Sequence, residues 1–155
     1  VDVLHTLHLG VFQQWCKHAV WMLFDSTIWA ARDVGADERV RVAVVCMRNE
    51  MDGFFKARHV QNKAEKLTTP YDLTEKMFGT HSSPSLKLSG AETWAFMLYL
   101  VYSGKLPAVL PRVLNAGQCL VKLYSVMQNN GTNLSPNLLV RNWNHLPNPT
   151  LKPWV

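Results

Sequence analysis

The stretch TWAFMLYLVYSG, residues 93–104, runs for twelve positions without a charge. A bilayer-spanning helix needs about 20 apolar residues, so this segment falls well short and reads as a helix buried in a protein core. The surrounding composition agrees. Apolar residues make up 48% of the 155-residue chain and charged ones only 17%, below the roughly 25% usual in soluble domains. That excludes disorder for most of the chain and implies that much of its surface is covered by something else. The length allows one domain with a sizeable core and leaves little room for two. The first residue is Val1, with no initiator Met and no signal-type leader, so the chain is expected to be a fragment of a longer reading frame or a processed product.

Hydrophobic spacing predicts a mostly α-helical fold, an irregular helical bundle with little or no sheet. Leu7, Val11, Trp15, Ala19, Met22 and Leu23 follow a 3.6-residue period while Gln13, Gln14 and Lys17 take the other face, which predicts an amphipathic helix over 6–24. Asp33, Asp37 and Glu38 supply N-terminal acids for a second helix through Val40, Val44, Met47, Met51 and Phe55. Its VRVAVV portion is β-branched enough for a strand, but the apolar spacing continues to Phe54 and Phe55 and favours helix. Pro70 opens a short helix over 71–78, ended by Gly79. Ser89 and Glu92 stand three apart ahead of the apolar run and form a capping box. A last helix is predicted over 106–128, with Pro107 and Pro111 in its first turns. The helical domain thus spans 1–130. Residues 131–155 form an Asn- and Pro-rich tail, with Leu138, Leu139, Trp143 and Trp154 available as docking anchors.

Charge is unevenly distributed. Up to Glu92 eleven acids balance eleven Lys and Arg, and after Glu92 there is no acid, so Lys105, Arg112, Lys122, Arg141 and Lys152 carry the whole net charge of +5. Five charges over the last 63 residues are sparse beside the clustered stripes of nucleic-acid binders. Cys16, Cys46 and Cys119 are odd in number and far apart, which speaks against a disulfide framework or structural zinc and for an intracellular, reducing compartment. No P-loop, nucleophile elbow or Gly-x-Gly-x-x-Gly pattern is present.

The sequence feature best suited to chemistry is Asp2-x-x-His5-x-x-His8. At helical steps of three these side chains drift round one side and could converge on a cation. The competing reading has Asp2 capping the helix and His5 or His8 packing at its edge. Glu92 has the same ambiguity, since a capping box accounts for it without catalysis. Trp15, Trp21, Phe24 and Trp29 fall at helical spacing, a pattern of core or subunit interface, with a base-stacking platform as the alternative.

The segment VDVLHTLHLGVFQQW resembles the D-x-x-H segment of eukaryotic cut-and-paste DNA transposases with an RNase H-like catalytic core, in particular the CACTA and hAT-like groups. The stretch KLSGAETWAF, residues 87–96, resembles the helix bearing their last catalytic acid, a Lys, small residues, Glu and then an aromatic. Between these motifs the families insert a helical domain, which the stretch from about 26 to 86 resembles. The resemblance covers roughly residues 1–128 on two short anchors, and the tail has no counterpart in it. It implies a nuclear protein acting on DNA phosphodiesters with two Mg²⁺ (or Mn²⁺) ions. Asp2 would be the second metal carboxylate, His5 the neighbour that positions the site, and Glu92 the third carboxylate. The first Asp would precede Val1, so the chain alone is expected not to cleave DNA. A reading from another class is a small all-helical module that binds a protein partner and catalyses nothing.

Overall fold

The computed structural model describes residues 7–106 and 110–130. Five α-helices form an irregular bundle there, and no strand occurs among the described residues. The chain enters through a π-helical turn, Leu7–Phe12, which runs directly into helix α1, Gln13–Asp25. Phe12, Cys16, Ala19, Val20, Leu23 and Phe24 are buried, the three- and four-residue steps expected of one helix face.

Helix α2, Ala36–Gln61, is the longest at 26 residues, about 39 Å at 1.5 Å per residue. Asp37 and Glu38 stand in its first turn and Arg58 and His59 in its last, each matched to the helix dipole. The VRVAVV stretch lies within it, because Ala43, Val44, Met47, Met51, Phe54 and Phe55 make one continuous buried stripe. Asp33, expected in the first turn, precedes the helix by three residues.

The short helix predicted over 71–78 is confined to α3, Glu75–Phe78. The chain stays non-helical from Pro70 to Thr74, which carries Leu73 into the core at 0% exposure and leaves Tyr71 outside. After α3 the chain doubles back: Ser85 N donates to Phe78 O at 2.8 Å and Lys87 N to Met77 O at 3.0 Å, around an isolated antiparallel bridge between Gly79 and Pro84. Two side chains of α1 fasten this loop, Trp21 Nε1 donating to Phe78 O at 2.9 Å and Gln13 Nε2 to Leu86 O at 2.8 Å.

Helix α4, Gly90–Tyr102, is the apolar run noted above, extended N-terminally by three residues. Thr93 and every residue from Ala95 to Val101 are buried, so it presents no solvent face over those positions and forms the centre of the bundle. Ser103 is its C-cap, and Gly104 follows with φ +79°, a left-handed conformation that ends the helix at little cost for glycine. No helix among the described residues is long and apolar enough to cross a membrane.

Helix α5 spans Pro111–Asn130 and does not start at 106 as the spacing predicts: Leu110 is non-helical and Pro111 takes the first helical position, where its missing N–H is no loss. Pro107 and the tail from 131 lie outside the described residues. Val121, Tyr124, Val126 and Met127 are buried, whereas Leu110, Val113, Leu114 and Leu120 are only partly covered. Gly117 is where α5 meets α1: a Cβ there would overlap the Trp15 ring and stand 2.9 Å from Val101 Cγ2. Gly117→Ala therefore sets a helix-propensity gain of about 1 kcal/mol against an overpacking cost of about 1–3 kcal/mol. Because an indole cannot fold out of the way, the cost is expected to win, giving a net loss of about 1 kcal/mol by urea denaturation. A gain in stability would show that Trp15 yields.

Candidate functional site

Glu92 occupies the third position of α4, and the capping box is formed in full. Glu92 N donates to Ser89 Oγ at 3.3 Å, and Ser89 N donates to Glu92 Oε2 at 2.8 Å. The local reading of this residue is thus correct. Only Oε2 is engaged by the cap, so Oε1 keeps its acceptor capacity.

Asp2 and His5 lie outside the described residues, but the helical turn that follows them does not. Gly90, two residues before Glu92, packs on His8: a Cβ at Gly90 would lie 3.3 Å from His8 Cβ. The His8 ring is nearly parallel to Trp94, with centroids 6.3 Å apart and planes at 7°. Phe12 and Tyr124 complete an aromatic cluster, with Trp94 and Tyr124 centroids 4.2 Å apart. The turn after the D-x-x-H segment therefore sits on the first turn of the Glu92 helix, although some 80 residues of sequence separate them. His8 serves here in packing. Among the described residues no three His, Cys, Asp or Glu side chains are grouped as a metal would require.

A second polar constellation had no signature in the sequence. Glu50 on α2 accepts from Lys105 Nζ at 2.9 Å and Trp29 Nε1 at 3.2 Å through Oε1, and from Tyr99 Oη at 2.9 Å through Oε2. Tyr99 is 1% exposed, so Glu50 is the means by which its hydroxyl is satisfied inside the core. Burial, and secondly the neighbouring Glu50 charge, push the phenol far above its usual range, so it stays a hydrogen-bond donor. Beside this network a cleft of about 300 Å³ opens between Asn49, Gly53, Phe54 and Ser103. Glu50 joins α2, α4 and the segments at Trp29 and Lys105, which makes it a structural junction. Only side chains 21 to 55 positions apart meet there, and periodicity reports nothing at that range.

A wider cleft, about 740 Å³, lies elsewhere, and neither His8 nor Glu92 lines it. Its Asp25–His81 pair is 3.3 Å apart with both side chains more than half exposed, so solvent screens most of the attraction. The aromatic set Trp15, Trp21, Phe24 and Trp29 is spent on packing: Trp21 and Phe24 are buried edge-to-face, 5.4 Å apart, and Trp15 covers Gly117. Cys16 is fully enclosed and burial pushes its thiol well up, which makes it inert.

By class the molecule is a mostly helical bundle. Comparison with family models, with curated proteins and with solved structures finds no match to it.

Proposed function

We propose that the chain is part of a transposase-like catalytic domain, supplying Asp2 and Glu92 to a site for two Mg²⁺ or Mn²⁺ ions and His5 as the residue that positions it. The supporting observation is the seating of the turn after the D-x-x-H segment on the first turn of the Glu92 helix, through His8, Gly90 and Trp94. Two carboxylates of a shared site must come from segments adjacent in space, and what supports this is that the residues following the D-x-x-H motif pack on the first turn of the Glu92 helix. The chemistry would be an in-line attack on a DNA phosphodiester, with one ion activating water or a 3′-hydroxyl and the other stabilising the leaving oxygen. The first Asp of such a site would precede Val1.

The capping box allows the metal role to be separated from the structural one. Glu92→Gln keeps the cap, because Gln serves as well as Glu at that position, but withdraws the negative ligand. Ser89→Ala does the converse, at a cost of about 1 kcal/mol. A ligand that binds only the native state at about 100 times its Kd stabilises by about 2.7 kcal/mol, roughly 5–10 °C for a chain of this size. Mn²⁺ is expected to raise the melting temperature of the wild type and of Ser89→Ala by that order, and to leave Asp2→Ala and Glu92→Gln unmoved. Equal shifts in all four proteins, or none in the wild type, would favour the reading as a protein-interaction module instead.

A further inference from the structure

Four of the sixteen Lys and Arg residues gather at the far end of α2. Lys56, Arg58 and His59 on its last turns, and Lys63, Lys66 and Tyr71 on the segment that follows, line a cleft of about 500 Å³. Four cations face one carboxylate, Glu65, in that lining. The helix C-terminus adds about half a negative charge, which leaves the cleft clearly positive.

These cations are not equivalent. Arg58 is committed: Nε and Nη2 donate to Glu65 at 2.6 and 2.9 Å, while its guanidinium lies over Tyr102, 5.9 Å from the ring centroid. That fork ties the segment at Glu65 back to α2 and gives the cleft a fixed wall. Lys56 is held by Asp52 at 2.6 Å on the exposed helix surface. Lys63 and Lys66 are exposed and make no ion pair among the described residues. Tyr71 is 63% exposed, the aromatic side chain most open to solvent among the large exposed hydrophobics, and it stands at the same cleft. A ring in that position is not explained by packing.

We infer that this cleft is a binding site for single-stranded nucleic acid, with Lys63 and Lys66 on successive phosphates and the Tyr71 ring stacking a base. An acidic protein surface would use the lysines but would have no need of an open ring beside them. Duplex DNA keeps its bases stacked internally and presents no free face to Tyr71, whereas a single strand offers both the charge and the π-face. The proposal is independent of the metal site, and either can fail without the other.

The test is fluorescence anisotropy of the full chain with a labelled oligothymidylate of about 15 nucleotides, long enough to fill such a groove. Titrations at about 50 and 200 mM salt give the electrostatic slope. Tyr71→Ala is expected to weaken binding about tenfold, with Tyr71→Trp restoring it. Lys63→Ala and Lys66→Ala are each expected to lower the salt slope by about 0.7. All three positions are exposed, so melting temperatures should stay at the wild-type value and confirm folding. No binding at the lower salt, binding indifferent to these substitutions, or equal affinity for a duplex of the same length would each overturn the assignment.

Discussion

Glu50→Ala is expected to lower the melting temperature by about 10 °C, corresponding to a loss of about 3–4 kcal/mol. The substitution removes an acceptor for three donors at once, the Tyr99 hydroxyl, the Trp29 indole and the Lys105 ammonium. The three losses differ. Lys105 is about one-third exposed and turns to water at little cost. Tyr99 is sealed in, and an orphaned buried hydroxyl costs about 1–3 kcal/mol, to which the half-buried indole adds a smaller amount. Against a total stability of about 5–15 kcal/mol, that is enough to make the bundle marginal at physiological temperature. Glu50→Gln keeps the shape and one acceptor oxygen, and should cost about 1 kcal/mol. A double-mutant cycle isolates the key contact: once Tyr99→Phe has removed the hydroxyl, Glu50→Ala should become cheaper by about 1–2 kcal/mol. Additive losses would mean that Glu50 acts through Lys105 and Trp29 alone.

The second large effect is expected at Gly79. This residue has φ +77° and ψ −146°, a region in practice open to glycine alone, at the point where α3 turns back towards Ser85. Strain is only part of the cost. A Cβ here would overlap the Ser83 carbonyl oxygen and stand 2.8 Å from Ser85 N, and both are backbone atoms that cannot swing aside. Relieving the overlap requires breaking the turn that holds the Ser85-to-Phe78 hydrogen bond, and this turn also presents Phe78 O to Trp21. Gly79→Ala is therefore expected to cost about 3 kcal/mol or more, combining about 1–3 kcal/mol of strain with the lost hydrogen bonds. Gly104 provides the control. It also has a positive φ, +79°, but open space around its Cβ position, so Gly104→Ala should cost only the strain. Equal losses at the two positions, measured by urea denaturation, would show that the contacts at Gly79 do not matter.

Two features marked in the sequence met different fates in the fold. The capping box at Ser89 and Glu92 is a local device, complete within four residues, and it forms as the spacing predicts. The short helix at 71–78 is shorter than predicted because a distant core claims Leu73, and backbone propensity over one turn is too weak to resist burial of a leucine. The candidate site is intermediate. Glu92 and the D-x-x-H segment were legible as segments, and the transposase resemblance implied that they share a site. The contacts that seat the turn at His8 on Gly90 and Trp94 were not readable from spacing, because they form across the bundle.

What the sequence by itself determined is most of the helix inventory and part of the inward faces. The stripe from Val44 to Phe55 and the uncharged run at 93–104 are buried as the spacing predicts, whereas Val11 and Met22, expected on the inward face of the first helix, are exposed, and the last helix starts at Pro111 instead of 106. The buried stripes follow from apolar periodicity and end signals, which act over one to three turns. Only the tertiary structure decided that α4 is central, that Glu50 satisfies a buried tyrosine, that Gly117 makes room for Trp15, and that Lys63, Lys66 and Tyr71 share a cleft. Each of these except the cleft depends on residues from different elements competing for the same dry volume. The cleft depends on one ion pair, Arg58 to Glu65, folding a loop back over the end of a helix.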